Sequence, residues 1–95
     1  MIVSFADKQT EALFNGSSSA RLPPDVCARA IRKLDLINAA HSEADLRIPP
    51  GNRFEHLSGD KQGFCSIRIN QQWRIIFRFS NGEAREVHLS EHYED

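Results

Sequence analysis

The sequence is poor in cysteine, in aromatic residues other than phenylalanine, and in long apolar runs. It has two cysteines, one tryptophan and one tyrosine among 95 residues, against six phenylalanines. The cysteines, Cys27 and Cys65, lack metal-ligand spacing, so we expect two reduced core residues. No apolar run reaches the roughly 20 residues of a membrane-spanning helix, and the start lacks a signal pattern. These absences predict a cytoplasmic protein with no membrane partner.

Common enzyme signatures are also missing. The chain contains no phosphate-cradling glycine loop, no HExxH sequence and no paired CxxC sequence. Glu55 and Asp60 have no carboxylate partner at a useful spacing. We therefore expect no cofactor and no metal.

Charge is nearly balanced overall but unevenly distributed. The net charge is −1, which by itself argues against a nucleic-acid-binding protein. Residues 52–79, however, carry five bases and two acids, a net of +3, whereas residues 80–95 carry one base and five acids, a net of −4. The basic stretch is therefore the part of the chain suited to an anionic partner.

Residues 64–79 alternate between apolar and polar side chains, which predicts two strands joined by a short turn. Core positions must oppose core positions, so Ile69 pairs with Trp73 across a three-residue loop at 70–72. This register places Arg68 directly opposite Arg74, and like charges in such a pair cost up to about 1 kcal/mol. One hypothesis is an anion held between the two guanidinium groups. The alternative is that both groups point into water or pair with acids.

The remaining sequence predicts helices before the strands. Residues 2–5 favour a short strand, and a helix is expected between an N-cap at Asp7 and Gly16. A second helix opens at Pro24 and runs to about Ala40, with an apolar stripe along one side. Residues 53–57 favour another strand.

A three-residue loop at 80–82 then joins the last two strands and places His88 beside Arg74 on the polar face. The predicted fold is a single α+β domain over residues 1–95. It has a short N-terminal strand and two helices on one face of a mostly antiparallel sheet of four to five strands.

An open sheet face with arginines, joined by His92 and Tyr93 from the tail, has the groups that RNA transesterification needs. The 2′-hydroxyl loses a proton, the leaving 5′-oxygen gains one, and the phosphate charge is stabilised. Histidine suits proton transfer because its unperturbed pKa is about 6.5. Arginine suits phosphate through its planar fork of donors.

Three sequence segments resemble a known family. They are Gly59-Asp60-Lys61, Ser66-Ile67-Arg68-Ile69-Asn70 and Gln72-Trp73-Arg74-Ile75. Two further segments, residues 1–5 and 48–53, match as well. All five segments are similar to the HigB toxins of the RelE/ParE superfamily, which are also called plasmid maintenance system killer proteins. The resemblance covers nearly the whole chain.

The resemblance implies a toxin of a type II toxin–antitoxin system that cleaves mRNA in the A site of the 30S ribosomal subunit without a metal. Its implied partner is a HigA-like helix-turn-helix antitoxin, through which alone it would reach operator DNA. The implied catalytic residues are Arg68, Arg74, His92 and Tyr93. The resemblance also implies that Arg53 and Lys61 contact RNA, and an expected place on or near the polar face adds His56, Arg78 and His88 to the predicted RNA-binding residues.

Two points stay open, the catalytic group supplied by the tail and the function itself. Relatives commonly end in Asp-Tyr-His, whereas this chain has Glu91-His92-Tyr93, so either His92 or Tyr93 is the group that faces the phosphate. Two other functions also fit the same fold. One is a non-enzymatic toxin of the ParE type that acts on DNA gyrase, and the other is an inactive module that only binds the antitoxin.

Overall fold

The computed structural model describes residues 1–17 and 22–91, in which three α-helices pack on a four-stranded antiparallel sheet. The helices are α1 (Lys8–Phe14), α2 (Pro24–Ala39) and α3 (Glu43–Leu46). The strands are β1 (Glu55–His56), β2 (Cys65–Arg68), β3 (Trp73–Ser80) and β4 (Glu83–Glu91), in that spatial order. Turns of 3-10 helix lie at Pro50–Asn52 and Gly59–Lys61. The predicted α+β class is confirmed, with the single-turn α3 as an additional helix.

The first two helices begin where the sequence predicts. The Asp7 side chain accepts a hydrogen bond of 2.7 Å from the Thr10 amide, which caps α1. Gly16, just past the end of α1, has a φ of 101°, a conformation that favours glycine. Pro24 stands in the first turn of α2, where its missing N–H costs no helical hydrogen bond.

The N-terminal segment lies along the outer edge of β4. Ile2 and Phe5 form isolated parallel bridges with Ala84 and Val87. The Val3 amide donates to the Ala84 carbonyl at 2.8 Å, and the Val87 amide donates to the Ser4 carbonyl at 3.1 Å. The predicted N-terminal strand is therefore present as two bridges that cover the sheet edge.

The core lies between α1, α2 and one face of the sheet. Leu34 and Ile37 of α2 are fully buried, as are Ile67, Ile75 and Phe77 of the strands. Trp73, expected in this core, is only half-buried at its margin. None of the described helices is long and apolar enough to cross a membrane.

The two hairpins differ in how well the sequence predicted them. Arg68 pairs with Arg74, and the Ile69 amide donates to the Trp73 carbonyl at 2.9 Å, which confirms the β2–β3 register. The β3–β4 turn is shorter than predicted, because Ser80 pairs directly with Glu83. A register shift follows between Ile76 and Arg78.

That shift corrects the expected place of His88. It lies opposite Ile76, and Ser90 takes the place opposite Arg74. Glu86, with a φ of 55°, lies in the irregular stretch of β4 that accommodates the shift. Beyond the shift the pairing is displaced by two residues in total, so Val87, His88 and Leu89 keep their predicted faces. Before the shift it is displaced by one residue, which places Ala84 opposite Phe79 and buries it.

Cys27 and Cys65 are not joined by a disulfide, which agrees with the expectation of two reduced residues. Cys65 is buried, and its thiol donates to the Phe77 carbonyl at 3.4 Å. Burial, followed by the negative charge of Glu43, raises the pKa of Cys65 from 9.0 to about 12. Cys27 is half-buried on α2.

Candidate nucleic-acid interface

Arg74 is the central cation of the sheet face that points away from the helices. Its side chain is 15% exposed, and its Nη1 donates to Ser66 Oγ at 3.0 Å and lies 3.5 Å from Glu55 Oε1. Glu55 reaches this position because it pairs with Ser66, which places both side chains on the same face. Ser66, expected on an open surface, is fully buried under these neighbours.

Both of these contacts use one nitrogen of the guanidinium group. Within residues 1–17 and 22–91, neither Nε nor Nη2 of Arg74 has a hydrogen-bond partner. Two parallel N–H donors of this kind form bidentate pairs with phosphate or carboxylate. Arg74 is thus held in place by one edge, and the other edge is available to an anion.

Arg68 opposes Arg74 in the register, but its side chain takes a different direction. Its Nε donates to the Asn70 carbonyl at 3.1 Å, and the residue is among those that line a cleft beside α2. The two guanidinium groups share no partner within residues 1–17 and 22–91, and the hypothesis of a single anion between them stays a prediction. Arg74 follows the alternative expectation instead, since it pairs with an acid.

A second group of predicted RNA-binding residues surrounds the half-buried ring of Phe64. The guanidinium carbon of Arg78 lies 4.1 Å from the ring centroid, and the Lys61 ammonium lies 5.7 Å from it. The His88 ring meets Phe64 edge-on at 6.3 Å between centroids. We call these four residues the Phe64 cluster. It combines an aromatic ring with two cations, a combination that suits a nucleotide.

The partner of His88 fixes which ring nitrogen accepts a proton. Nδ1 lies 2.8 Å from the Glu86 backbone carbonyl, which only accepts hydrogen bonds, so Nδ1 carries the hydrogen. In the neutral ring, Nε2 is therefore the unprotonated nitrogen. Glu86 also holds Arg78 through its side chain, with Oε2 2.8 Å from Arg78 Nε.

His56 is not brought to this face. It pairs with Cys65, so it points toward the helices, where its Nε2 lies 3.0 Å from Glu43 Oε1. Its ring also packs edge-on against Phe54 at 5.3 Å. The expectation that His56 lies on or near the polar face is therefore wrong. The reason is that β1 has only two residues, too few for an alternation to be read from the sequence.

Of the other predicted site residues, Arg53 lies apart from this face, and two lie outside the residues that the structure describes. Arg53 is exposed, with a φ of 46° at the end of the first 3-10 turn, and in the described residues it contacts neither Arg74 nor the Phe64 cluster. His92 and Tyr93 lie outside the described residues. Across the described ranges, no group of three or more His, Cys, Asp or Glu side chains is arranged to hold a metal ion.

Sequence reasoning missed Glu55 and Phe64. The sequence does contain a signal for Glu55. If residues 53–57 form a strand that pairs with β2, alternate side chains of that strand, either Glu55 or its neighbours, must lie on the face that carries the arginines. Phe64 directly precedes β2, and a single phenylalanine at the start of a predicted strand carries no functional signal in the sequence. Its importance arises from Arg78 and Lys61, which converge on it from β3 and from the second 3-10 turn.

The fold and this arginine-bearing face define a class of protein. The YoeB-YefM complex from Staphylococcus aureus contains a chain with a TM-score of 0.63 to this one, at 14% identity, covering 98% of this chain and 99% of that chain. The YoeB/ParE toxin from Agrobacterium tumefaciens has a TM-score of 0.51 at 20% identity, with 97% and 98% covered. At these identities the likeness establishes the fold alone, which is that of the RelE/ParE toxins.

The sequence itself narrows the class. Residues 3–92 match the family described as the RelE-like toxin of type II toxin–antitoxin system HigB. Toxin HigB-1 of Vibrio cholerae is 46% identical over 97% of this chain and 98% of its own length. Endoribonuclease HigB of Proteus vulgaris is 32% identical over 88% and 90%. The chain therefore belongs to the HigB-like family of RelE-like toxins.

Proposed function

We propose that this toxin is an endoribonuclease that cleaves mRNA on the ribosome without a metal ion, and that Arg74 binds the scissile phosphate. The observation that carries the proposal is the Nε and Nη2 edge of Arg74, which has no partner among residues 1–17 and 22–91 and lies on the sheet face away from the helices. Membership of the HigB-like family supports RNA as the substrate, because the Proteus vulgaris relative is named an endoribonuclease.

The proposed reaction is attack of the ribose 2′-oxygen on the neighbouring phosphorus. The bond to the 5′-oxygen breaks, which leaves a 2′,3′-cyclic phosphate and a 5′-hydroxyl. One proton leaves the 2′-hydroxyl and one reaches the 5′-oxygen, so no net proton is consumed. Arg74 stabilises the negative charge on the phosphate oxygens during this step, which is where electrostatic catalysis acts most strongly.

The positions of the Phe64 cluster residues support a role in RNA binding for this cluster. Lys61, Arg78 and His88 of the Phe64 cluster bind the RNA, with Phe64 as a surface on which a base stacks. The proton-transfer and stacking roles belong to His92 and Tyr93, as predicted from the sequence. Arg53 and His56 have no place in this proposed site, since neither contacts Arg74 or the Phe64 cluster in the described residues.

The proposed inhibitor is a HigA-like helix-turn-helix antitoxin encoded with the toxin. Membership of a type II toxin–antitoxin family supports an antitoxin partner of some kind. We propose that the antitoxin alone carries the contacts with operator DNA. Co-expression with a HigA-like helix-turn-helix protein is expected to restore growth and to yield a stable complex on purification.

A reconstituted translation reaction tests the proposed activity. Toxin that has been treated with EDTA and then freed of the chelator, or untreated toxin, is added to a defined mRNA with or without ribosomes, and cleavage is mapped by primer extension. We expect cuts only when ribosomes are present, and to the same extent with treated and untreated toxin, because the treatment strips metal from the toxin and spares the magnesium that holds the ribosome together. Inhibition of gyrase supercoiling without any mRNA cleavage would instead support the non-enzymatic function.

A further inference from the structure

A cleft between α2, the first 3-10 turn and the end of β2 is lined mainly by cations. Its volume is about 260 Å³, and its lining residues are Arg29, Arg32, Lys33, Gly51, Arg68 and Ile69. Four of these six carry a positive charge, and none is a carboxylate. Cations gathered in this way repel one another unless an anion lies among them.

The positive charge of this cleft is not neutralised by ion pairs within the described residues. The cations that do form ion pairs there are Arg47, His56, Arg74, Arg78 and Arg85. None of them lines the cleft. The cleft is thus distinct from the sheet face, where Glu55 and Glu86 balance Arg74 and Arg78.

Lys33 is fixed in this cleft by a buried amide. Its ammonium donates a hydrogen bond to Asn52 Oδ1. The Asn52 Nδ2 donates in turn to the carbonyls of Leu46 at 3.0 Å and Ile48 at 3.1 Å, which fixes the orientation of its side chain. Asn52 is fully buried, so this support is rigid. Burial, and then the charges of Arg32 and Arg29, lower the pKa of Lys33, as expected where cations crowd.

We infer that this cleft binds a backbone phosphate of the same RNA strand whose scissile phosphate lies at Arg74. Arg68 lines the cleft and its Cα is the sheet partner of Arg74, so the cleft begins one strand away from the backbone that carries Arg74. A series of cations that follows a backbone, with arginine forks for the phosphates, is typical of single-strand binding. This continuity favours RNA over an acidic peptide. The inference rests on the proposed function, since it assigns the RNA a path.

Gly51 offers a test that leaves every cation in place. A Cβ atom built on Gly51 has no atom within 4 Å, and its φ lies outside the left-handed region. Since Gly51 lines the cleft, Gly51→Glu places a carboxylate at the cleft wall, and Gly51→Gln places a neutral side chain of the same size there. The probe is a short single-stranded 2′-O-methyl RNA, which cannot be cleaved because its 2′-oxygen carries no proton. Binding is measured by fluorescence anisotropy over a range of salt concentrations.

We expect Gly51→Gln to bind this RNA like the wild type and Gly51→Glu to raise the Kd by about tenfold or more, because like charges at an interface repel strongly. The slope of log affinity against log salt should fall by about 0.7, the value for one lost phosphate contact on a single strand. Thermal melting establishes that both variants are folded. Equal affinity and equal slopes for the two variants would overturn the inference.

A second pair of variants removes cations instead. Arg29→Gln combined with Arg32→Gln should weaken RNA binding more than Lys8→Gln combined with Arg47→Gln, which removes the same charge elsewhere. Equal losses in the two pairs would overturn the inference, since they would reflect net charge alone.

Two further outcomes separate the cleft from its alternatives. If Gly51→Glu weakens binding of the antitoxin but not of the RNA, the cleft is a docking site for an acidic peptide and the inference is wrong. If Gly51→Glu loses RNA affinity while Arg74→Ala still cleaves mRNA at the wild-type rate, the proposed scissile-phosphate site is wrong and the cleft stands.

Discussion

At the scale of single residues, the site depends on how Arg74 is held. Ser66 and Glu55 contact the same nitrogen, Nη1. They therefore orient the guanidinium group without occupying its Nε and Nη2 donors. A phosphate that binds the free edge comes close to the Glu55 carboxylate, which repels it. Glu55 therefore positions Arg74 and at the same time lowers its affinity for anions.

Replacing Glu55 by glutamine should tighten binding of an uncleavable RNA. The Glu55 side chain is 52% exposed, and exposed pairs contribute about 1 kcal/mol or less, so the gain in affinity should not exceed about fivefold. Fluorescence anisotropy measures this change. Glu83→Gln, which removes the same charge beside Arg85, is the control. Weaker binding by Glu55→Gln than by the control would show that Glu55 supports the phosphate site rather than opposing it.

Cys65 predicts a loss of stability at high pH. The folded chain keeps the thiol protonated to about pH 12, whereas the unfolded chain loses this proton near pH 9.0. The contribution of the buried Cys65 thiol to the free energy of unfolding is thus fully present below pH 9.0. It is lost as the pH rises toward 12, by at most about 1.4 kcal/mol per pH unit. Urea unfolding of the wild type and of Cys65→Ala over this range measures the difference. A decline equally steep in both proteins would contradict the assignment.

The sequence predicted residues well where one side of a strand had to be buried. Arg68 and Arg74 were expected to oppose each other because Ile69 had to meet Trp73, and the structure agrees. The partner of Arg74 was not predicted, since Glu55 lies on a separate strand of two residues. Side-chain directions at strand ends, such as that of Arg68, depend on neighbouring elements and cannot be read from alternation.

At the scale of elements, the β3–β4 hairpin shows what alternation determines and what it leaves open. Alternation requires Val87 and Leu89 to face the helices, and a turn of three residues without an irregularity satisfies that requirement. The observed two-residue turn combined with a register shift satisfies it equally. The sequence therefore predicted the faces of β4 beyond the register shift but not the pairing, and His88 lies opposite Ile76, two residues along β3 from Arg74.

Strand β3 should show a graded dependence on burial. Phe77 is fully buried, so Phe77→Ala should lower the free energy of unfolding by about 3–5 kcal/mol. Trp73, half-buried beside a cavity lined also by Leu13, Leu22 and Leu89, should cost only about 2 kcal/mol when replaced by alanine. Urea denaturation compares the two variants. A larger loss for Trp73→Ala would mean that this side chain is more deeply packed than the structure shows.

At the scale of the whole molecule, a net charge of −1 conceals two basic surfaces. One is the sheet face with Arg74 and the Phe64 cluster, and the other is the cleft beside α2. The charge segregation of residues 52–79 predicted the first surface. The second was not predicted, because its cations come from the polar side of a helix and join Arg68 only after folding.

Salt should therefore affect the protein more than its net charge suggests. Binding of the 2′-O-methyl RNA is expected to weaken as salt rises, because phosphate contacts release counter-ions. The wild type should show a steeper slope of log affinity against log salt than either Arg74→Ala or Gly51→Glu. A flat salt dependence would be incompatible with phosphate binding at both surfaces.

The central claim is that Arg74 carries the proposed mRNA cleavage, and one comparison tests it most directly. Arg74→Ala and Arg47→Ala each remove an arginine that is paired with a glutamate, but Arg47 lies on the helical side, over Phe54. Each purified, folded variant is added to a defined mRNA bound to ribosomes, and primer extension measures the cleavage of the mRNA over time. We predict that Arg74→Ala loses at least about a hundredfold in rate, the typical cost of removing a transition-state donor, and that Arg47→Ala cleaves like the wild type. Wild-type cleavage by a well-folded Arg74→Ala protein would contradict the account.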